Sequence, residues 1–168
     1  MKLLTLCAAG LLILATSVWL YHRLSARNSG VNARSNEWCK QEEDFIREAA
    51  FRYEMQHSEG HESSSLFFLS VEEGRDPDSE VVKRLASGSF QVKPVSQSIN
   101  QRTLIKDKDT GQPGVILGVG KVRRVDKDRV QLGLLAYSGW GDVKEYVYHL
   151  AFTDKGWIVT DREFAFES

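Results

Sequence analysis

The apolar block from Leu3 to Leu20 (LLTLCAAGLLILATSVWL) runs for 18 residues without a charge. As a helix it would be about 27 Å long, close to the roughly 30 Å hydrocarbon core of a bilayer. Trp19 and Tyr21 fall where an interfacial aromatic belt belongs, and Arg23 can snorkel to the headgroups. A small domain cannot surround such a segment with apolar neighbours on every side, so it belongs in a membrane or to a secretion signal. Lys2 before the run, and the small residues Ala15-Thr16-Ser17, suit a cleaved signal peptide. Continuation of the run through Val18, Trp19 and Leu20 favours a signal anchor or transmembrane helix over residues 1–27. Lys2 weighed against Arg23, Arg27 and Arg34 favours a cytoplasmic body, whereas the short basic start of a signal-like run favours the opposite. The expectation taken is a single-pass membrane protein with an extracytoplasmic (periplasmic) body.

Residues 28–35 are polar and contain Gly30, and read as a tether. From 36 to 168 the pattern is that of a soluble domain. Trp38, Phe45, Ile46, Ala49, Ala50 and Tyr53 recur at helical spacing and predict a helix from about Glu37 to His57, with Glu42, Glu43, Arg47, Glu48, Arg52 and Glu54 mostly on its other faces. LFFLSV (Leu66 to Val71) is a compact apolar strand. Asp76 as cap and Pro77 at the first helical position open a short accessory helix that buries Val81, Val82 and Leu85. Phe90, Val92 and Pro94 suggest an edge strand. The second half reads as an antiparallel meander: Val115 to Val125, Arg129 to Tyr137, Val143 to Thr153 and Trp157 to Phe166, with turns at 126–128 and 154–156. Incomplete alternation suits a strongly bent sheet wrapped around the helix. The expected fold class is α+β: one long helix packed on a curved antiparallel β-sheet, with a short accessory helix.

VEEGRDP, VKPVS, DTGQPGVILGVGKV, the VYHLAFTDKGW hairpin and the closing REFAFES resemble a family of uncharacterised, exported or membrane-anchored bacterial proteins. The layout is also similar to the cystatin-like and nuclear-transport-factor-2-like cone folds. The resemblance covers roughly residues 37–168 and implies a cone-shaped envelope domain without an assigned activity. The family often carries a Cys-bearing glycine loop where this chain has Ser138-Gly139-Trp140-Gly141, so no disulfide or thiol role is carried over.

Composition narrows the function classes. Lys2, Arg23, Arg27 and Arg34, with no acid, give residues 1–34 a charge of +4, while the rest holds 18 basic and 23 acidic side chains, or −5. An acidic body argues against nucleic acid as partner. Cys7 and Cys39 are too few for a disulfide framework or a cysteine zinc site, and no cofactor or metal is expected.

His57 and His61 have the spacing of two metal ligands, but Gly60 interrupts the helix and HESSS lacks the second histidine of a zinc motif, so a solvated loop is the reading taken. Asp76 and Asp78 are explained by capping rather than acid–base work. Gly114, Gly118 and Gly120 precede a basic strand rather than a helix, which fits sheet bends and not a phosphate loop. Lys121, Arg123, Arg124, Lys127 and Arg129 cluster around one hairpin, able to meet an anionic surface yet diluted by Asp126 and Asp128. Trp140 between two glycines is either a lid on the core or an exposed contact. Tyr146, Tyr148 and His149, with Asp142, are the polar groups that a cavity in the sheet would need for catalysis.

The expectation is therefore a non-catalytic, membrane-tethered binding or assembly domain, with Trp140, Tyr146, Tyr148, His149, Arg123 and Arg124 as candidate binding residues for an envelope protein or small ligand. An envelope enzyme with a polar cavity is one alternative. The other is an accessory subunit of a membrane complex, in which Ala8, Ala9 and Gly10 permit close helix packing.

Overall fold

A computed structural model describes residues 39–57, 66–101, 104–139 and 142–167. Residues 1–38, on which the anchor and tether were read, lie outside this set, as do His61 and Trp140. Among the described residues no helix is long and apolar enough to cross a membrane.

Helix α1 spans Lys40–His57, with Glu42 and Glu43 in its first turn, where they favour the positive end of the helix dipole. Its buried stripe is Ile46, Arg47, Ala50, Phe51, Glu54 and Met55. This is rotated from the expected stripe: Phe45 is exposed and Tyr53 only partly buried. Two ionisable residues therefore lie on the face towards the core. Arg47 is matched there by Glu43 at 2.9 Å and by Glu72 at 2.5 Å. Glu72 and Glu73 hold positive φ angles of 30° and 53° in the turn after β1. The ion pairs from Glu72 to Arg47 and Arg75 help retain a backbone that such residues seldom adopt.

Strand β1 is Leu66–Val71, followed by α2 at Ser79–Ala86 and β2 at Gln91–Pro94. The short helix begins two residues later than expected: Asp78, not Asp76, caps it, accepting from the Glu80 N–H at 3.0 Å. Asp76 instead accepts from the Ser96 N–H at 2.8 Å. Strands β3 (Ser98–Gln101), β4 (Leu104–Asp107), β5 (Pro113–Val119), β6 (Arg123–Arg124), β7 (Arg129–Gly139), β8 (Asp142–Thr153) and β9 (Gly156–Glu167) complete one nine-stranded sheet. The main order is β2-β1-β5-β7-β8-β9, with β3 joined through β4 to β5, and β6 joined to β7.

The expected α+β class, with a long helix on an antiparallel sheet, is corrected here. Strands dominate, and the sheet is mixed: β1 runs parallel to both β2 and β5, while β5, β7, β8 and β9 alternate in direction. The physical reason is visible in LFFLSV, whose first five residues are all buried. A strand flanked by parallel neighbours and covered on both faces needs no polar side, so it lacks alternation. The short helix is consequently the crossover that returns the chain to a parallel strand, not an accessory.

The main core fills the face under α1. Ile46, Ala50, Phe51 and Met55 pack on Phe67, Leu69, Leu117, Leu134, Tyr148 and Leu150, with Val81 and Leu85 of α2 alongside. On the opposite face Leu66, Phe68 and Ile105 form a second cluster with Ile116 and Tyr137. Gly114 sits between β1 and β4, where an added Cβ would lie 2.6 Å from the Leu66 carbonyl oxygen and 2.8 Å from the Phe68 ring. Gly118 faces Ser70 across the same parallel pair. These glycines serve strand packing.

Gly114→Ala is expected to destabilise the fold by about 2 kcal/mol, as overpacking does, whereas Gly133→Ala should be neutral or slightly stabilising. A Cβ added at Gly133 would meet nothing within 4 Å, so this variant isolates the steric effect in urea denaturation. Equal stabilities for the two variants would contradict the packing described.

Candidate functional site

The alternation of β8 divides the sequence-derived candidates between two faces. Tyr146 and Tyr148 point with Leu150 towards α1, and His149 points to the other side. Arg123 and His149 meet through an intermediary that the sequence did not single out. Arg123 Nη2 donates to Gln131 Oε1, and Gln131 Nε2 lies 3.0 Å from His149 Nδ1. Arg124 is exposed on β6 opposite Val130, off this row. The basic hairpin is locally compensated where Asp126 accepts from Arg129 at 2.5 Å, and that pairing holds the Asp126 carboxyl below its ordinary value. Trp140 lies outside the described residues.

On the α1 face, Tyr148 is fully buried and donates its O–H to Oε2 of Glu54, itself 1% exposed. Arg162, directly opposite Tyr148 on β9, places Nη1 3.6 Å from the same oxygen. Arg162 also stacks over Tyr146, 4.7 Å from the ring centroid. Rings extend from this centre in both directions: Tyr53 meets Tyr148 edge-on at 5.8 Å and stacks on His57 at 4.1 Å, while Phe164 meets Tyr146 at 5.7 Å. Glu54 and Arg162 were not anticipated. Glu54 was nevertheless marked by its spacing, since Ile46, Ala50 and Glu54 are successive i, i+4 positions of one helical row.

Burial is the first cause that pushes the Tyr148 phenol above its ordinary value, and donation to Glu54 adds to it. A buried carboxylate with a phenol donor and a nearby guanidinium is a satisfied structural centre. Tyr148 does not reach solvent, so it is not placed to touch a substrate. His57, for which a metal role was set aside, is exposed at the end of α1 and stacked on Tyr53, with Nδ1 2.8 Å from the Tyr53 carbonyl oxygen.

Beside this centre a groove of about 660 Å³ opens between α1 and the β8–β9 hairpin. Phe45, Ala49 and Tyr53 line one wall and Phe152, Trp157 and Val159 the other; Glu42, Glu48, Arg52 and Lys155 also line it. Phe152 is 54% exposed and Phe45 44% exposed. Glu48 accepts from Arg84 at 2.7 Å and from Arg52 at 2.9 Å, and Arg84 lies over the Phe45 ring. Large apolar side chains thus face solvent across a concave surface, on which Glu48 and Arg52 are held by ion pairs.

On the sheet face away from α1, one imidazole and two carboxylates come together. The ligand atoms of His149, Asp161 and Glu163 all lie within 4.8 Å of one another. Such a donor set could hold a divalent metal.

Ionisation provides a test of the buried centre. An unfolded tyrosine loses its proton near its ordinary value of 10.0, while folded Tyr148 retains it to higher pH. The stability arising from this shift is full below that value and declines as pH rises above it. Between about pH 9 and pH 11 the stability of the native chain should therefore fall more steeply than that of Tyr148→Phe, measured by urea denaturation. Parallel slopes would contradict the assignment. No family model, curated protein or solved structure matches this chain.

Proposed function

We propose that this chain is a membrane-tethered, non-catalytic binding or assembly domain of the bacterial cell envelope, and that it holds its partner in the groove between α1 and the β8–β9 hairpin. The observation that carries this reading is the concave apolar surface framed by Phe45 and Phe152, both large and both substantially exposed. Aromatic side chains at the floor and rim of a groove provide the contact area from which binding hot spots are made. The uncharged run from Leu3 to Leu20 and the polar stretch after it supply the tether in this reading. The sealed state of Glu54 and Tyr148 supports binding over acid–base chemistry at the polar centre, because neither group meets solvent.

A partner protein presenting apolar side chains fits the groove better than a nucleic acid does. Glu42 and Glu48 are offset by Arg52 and Lys155 along the lining, so no net positive field favours phosphate. The envelope is proposed as the place of action on the uncharged run from Leu3 to Leu20.

A photo-crosslinking side chain at Phe152 should capture a defined envelope partner in cells. The same group at exposed Lys83 of α2 should not. Adding Phe45→Asp should reduce the Phe152 adduct by about tenfold or more, consistent with loss of one buried aromatic anchor. Equal adducts from both positions, or an adduct indifferent to Phe45→Asp, would contradict the groove as the binding site.

A further inference from the structure

The face of the sheet opposite the groove carries a polar row across four neighbouring strands. Arg123 of β6, Gln131 of β7 and His149 of β8 stand in register, and His149 is paired with Asp161 of β9. Glu163, two residues further along β9, points to the same side, and its Oε1 lies 3.0 Å from His149 Nε2. The order of donors is directional. Arg123 donates to the Gln131 carbonyl oxygen, so the Gln131 amide N–H faces His149 Nδ1. Nδ1 is then an acceptor, and the ring proton sits on Nε2, donated to Glu163.

Glu163 alone satisfies that proton, yet Asp161 brings a second carboxylate oxygen to within 4.8 Å of the ligand atoms of both His149 and Glu163. We propose that His149, Asp161 and Glu163 form a binding site for a borderline divalent transition metal of the Zn2+ class. Imidazole with two carboxylate oxygens is a donor set that such ions accept, with remaining positions left for water. Tetrahedral coordination places ligand atoms about 3.3 Å apart. His149 and Glu163 already stand near that separation. The third ligand, Asp161, is exposed on a strand at the sheet edge, so its side chain can move in without disturbing the core.

Binding has a structural consequence. A metal on Nε2 requires the ring proton on Nδ1, and Gln131 must then turn its carbonyl oxygen towards the ring. That turn breaks the contact with Arg123. Arg123 is thus a positioning residue that opposes the metal-bound arrangement, both through Gln131 and through its charge. This site lies on the opposite face from the groove, and its test is independent of the proposed binding function.

The test is calorimetric titration of the full chain, freed of metal by chelator, with Zn2+ and separately with Mg2+. Cys39→Ser serves as background because Cys39 is a free, exposed thiol. Saturable binding of one Zn2+, with no response to Mg2+, is expected. His149→Ala and Glu163→Gln should each abolish it, and His57→Ala should leave it unchanged. Gln131→Ala should weaken it about tenfold, the usual effect of losing the group that orients a ligand histidine. Arg123→Ala should strengthen it, an outcome that a merely structural role would not produce. Glu163 is 62% exposed at its side chain, so its amide variant tests the site without threatening the fold. Absence of saturable Zn2+ binding, or binding that survives both His149→Ala and Glu163→Gln, would overturn the proposal.

Discussion

The carboxylate of Glu54 sits beneath α1, where water does not reach it, and the geometry of the helix and its neighbouring strands has to satisfy it. Burying an unpaired charge costs several kcal/mol, more than a single domain of this size can easily spare. The donor comes from Tyr148 at the centre of β8, and the opposing charge from Arg162, its partner on β9. The helix and the β8–β9 hairpin, far apart in sequence, therefore meet in an arrangement that pairs the Glu54 carboxylate. Apolar packing of Ile46, Ala50 and Phe51 drives the helix onto the sheet; the Glu54 centre selects the rotation and position at which it settles.

That placement creates the groove. Rotating α1 so that Glu54 and Phe51 face inward turns Phe45 outward and leaves Tyr53 at the boundary. Across from them the β8–β9 hairpin presents Phe152 and Trp157, whose rings are 5.4 Å apart. The exposed apolar surface follows from satisfying a buried charge in the core.

Much of the strand content was legible from hydrophobic runs and turn residues. LFFLSV, the 129–139 and 142–153 strands and the turn at Gly156 lie where apolar spacing placed them, because local preference and tertiary environment agree there. The direction of β1 was not read, since a doubly covered strand shows only a continuous apolar run. The helix stripe was misjudged by weighting aromatics over spacing: Arg47 and Glu54 were placed outside because they are charged, although Ile46, Ala50 and Glu54 are aligned. Of the candidate residues, Tyr146 and Tyr148 were brought together, and Arg123 was brought to His149 only through Gln131. Pairings of that kind depend on strand order and register, which a single sequence does not encode locally.

The central claim is that Glu54 and Tyr148 act as one unit in fixing the helix on the sheet. A double-mutant cycle with Glu54→Leu and Tyr148→Phe, read by urea denaturation of the full chain, measures this directly. The account predicts that each single change is costly and that the pair costs less than their sum, with a coupling energy of about 1–3 kcal/mol. Additive effects, within about 0.5 kcal/mol, would show that the two residues contribute separately and would contradict the account.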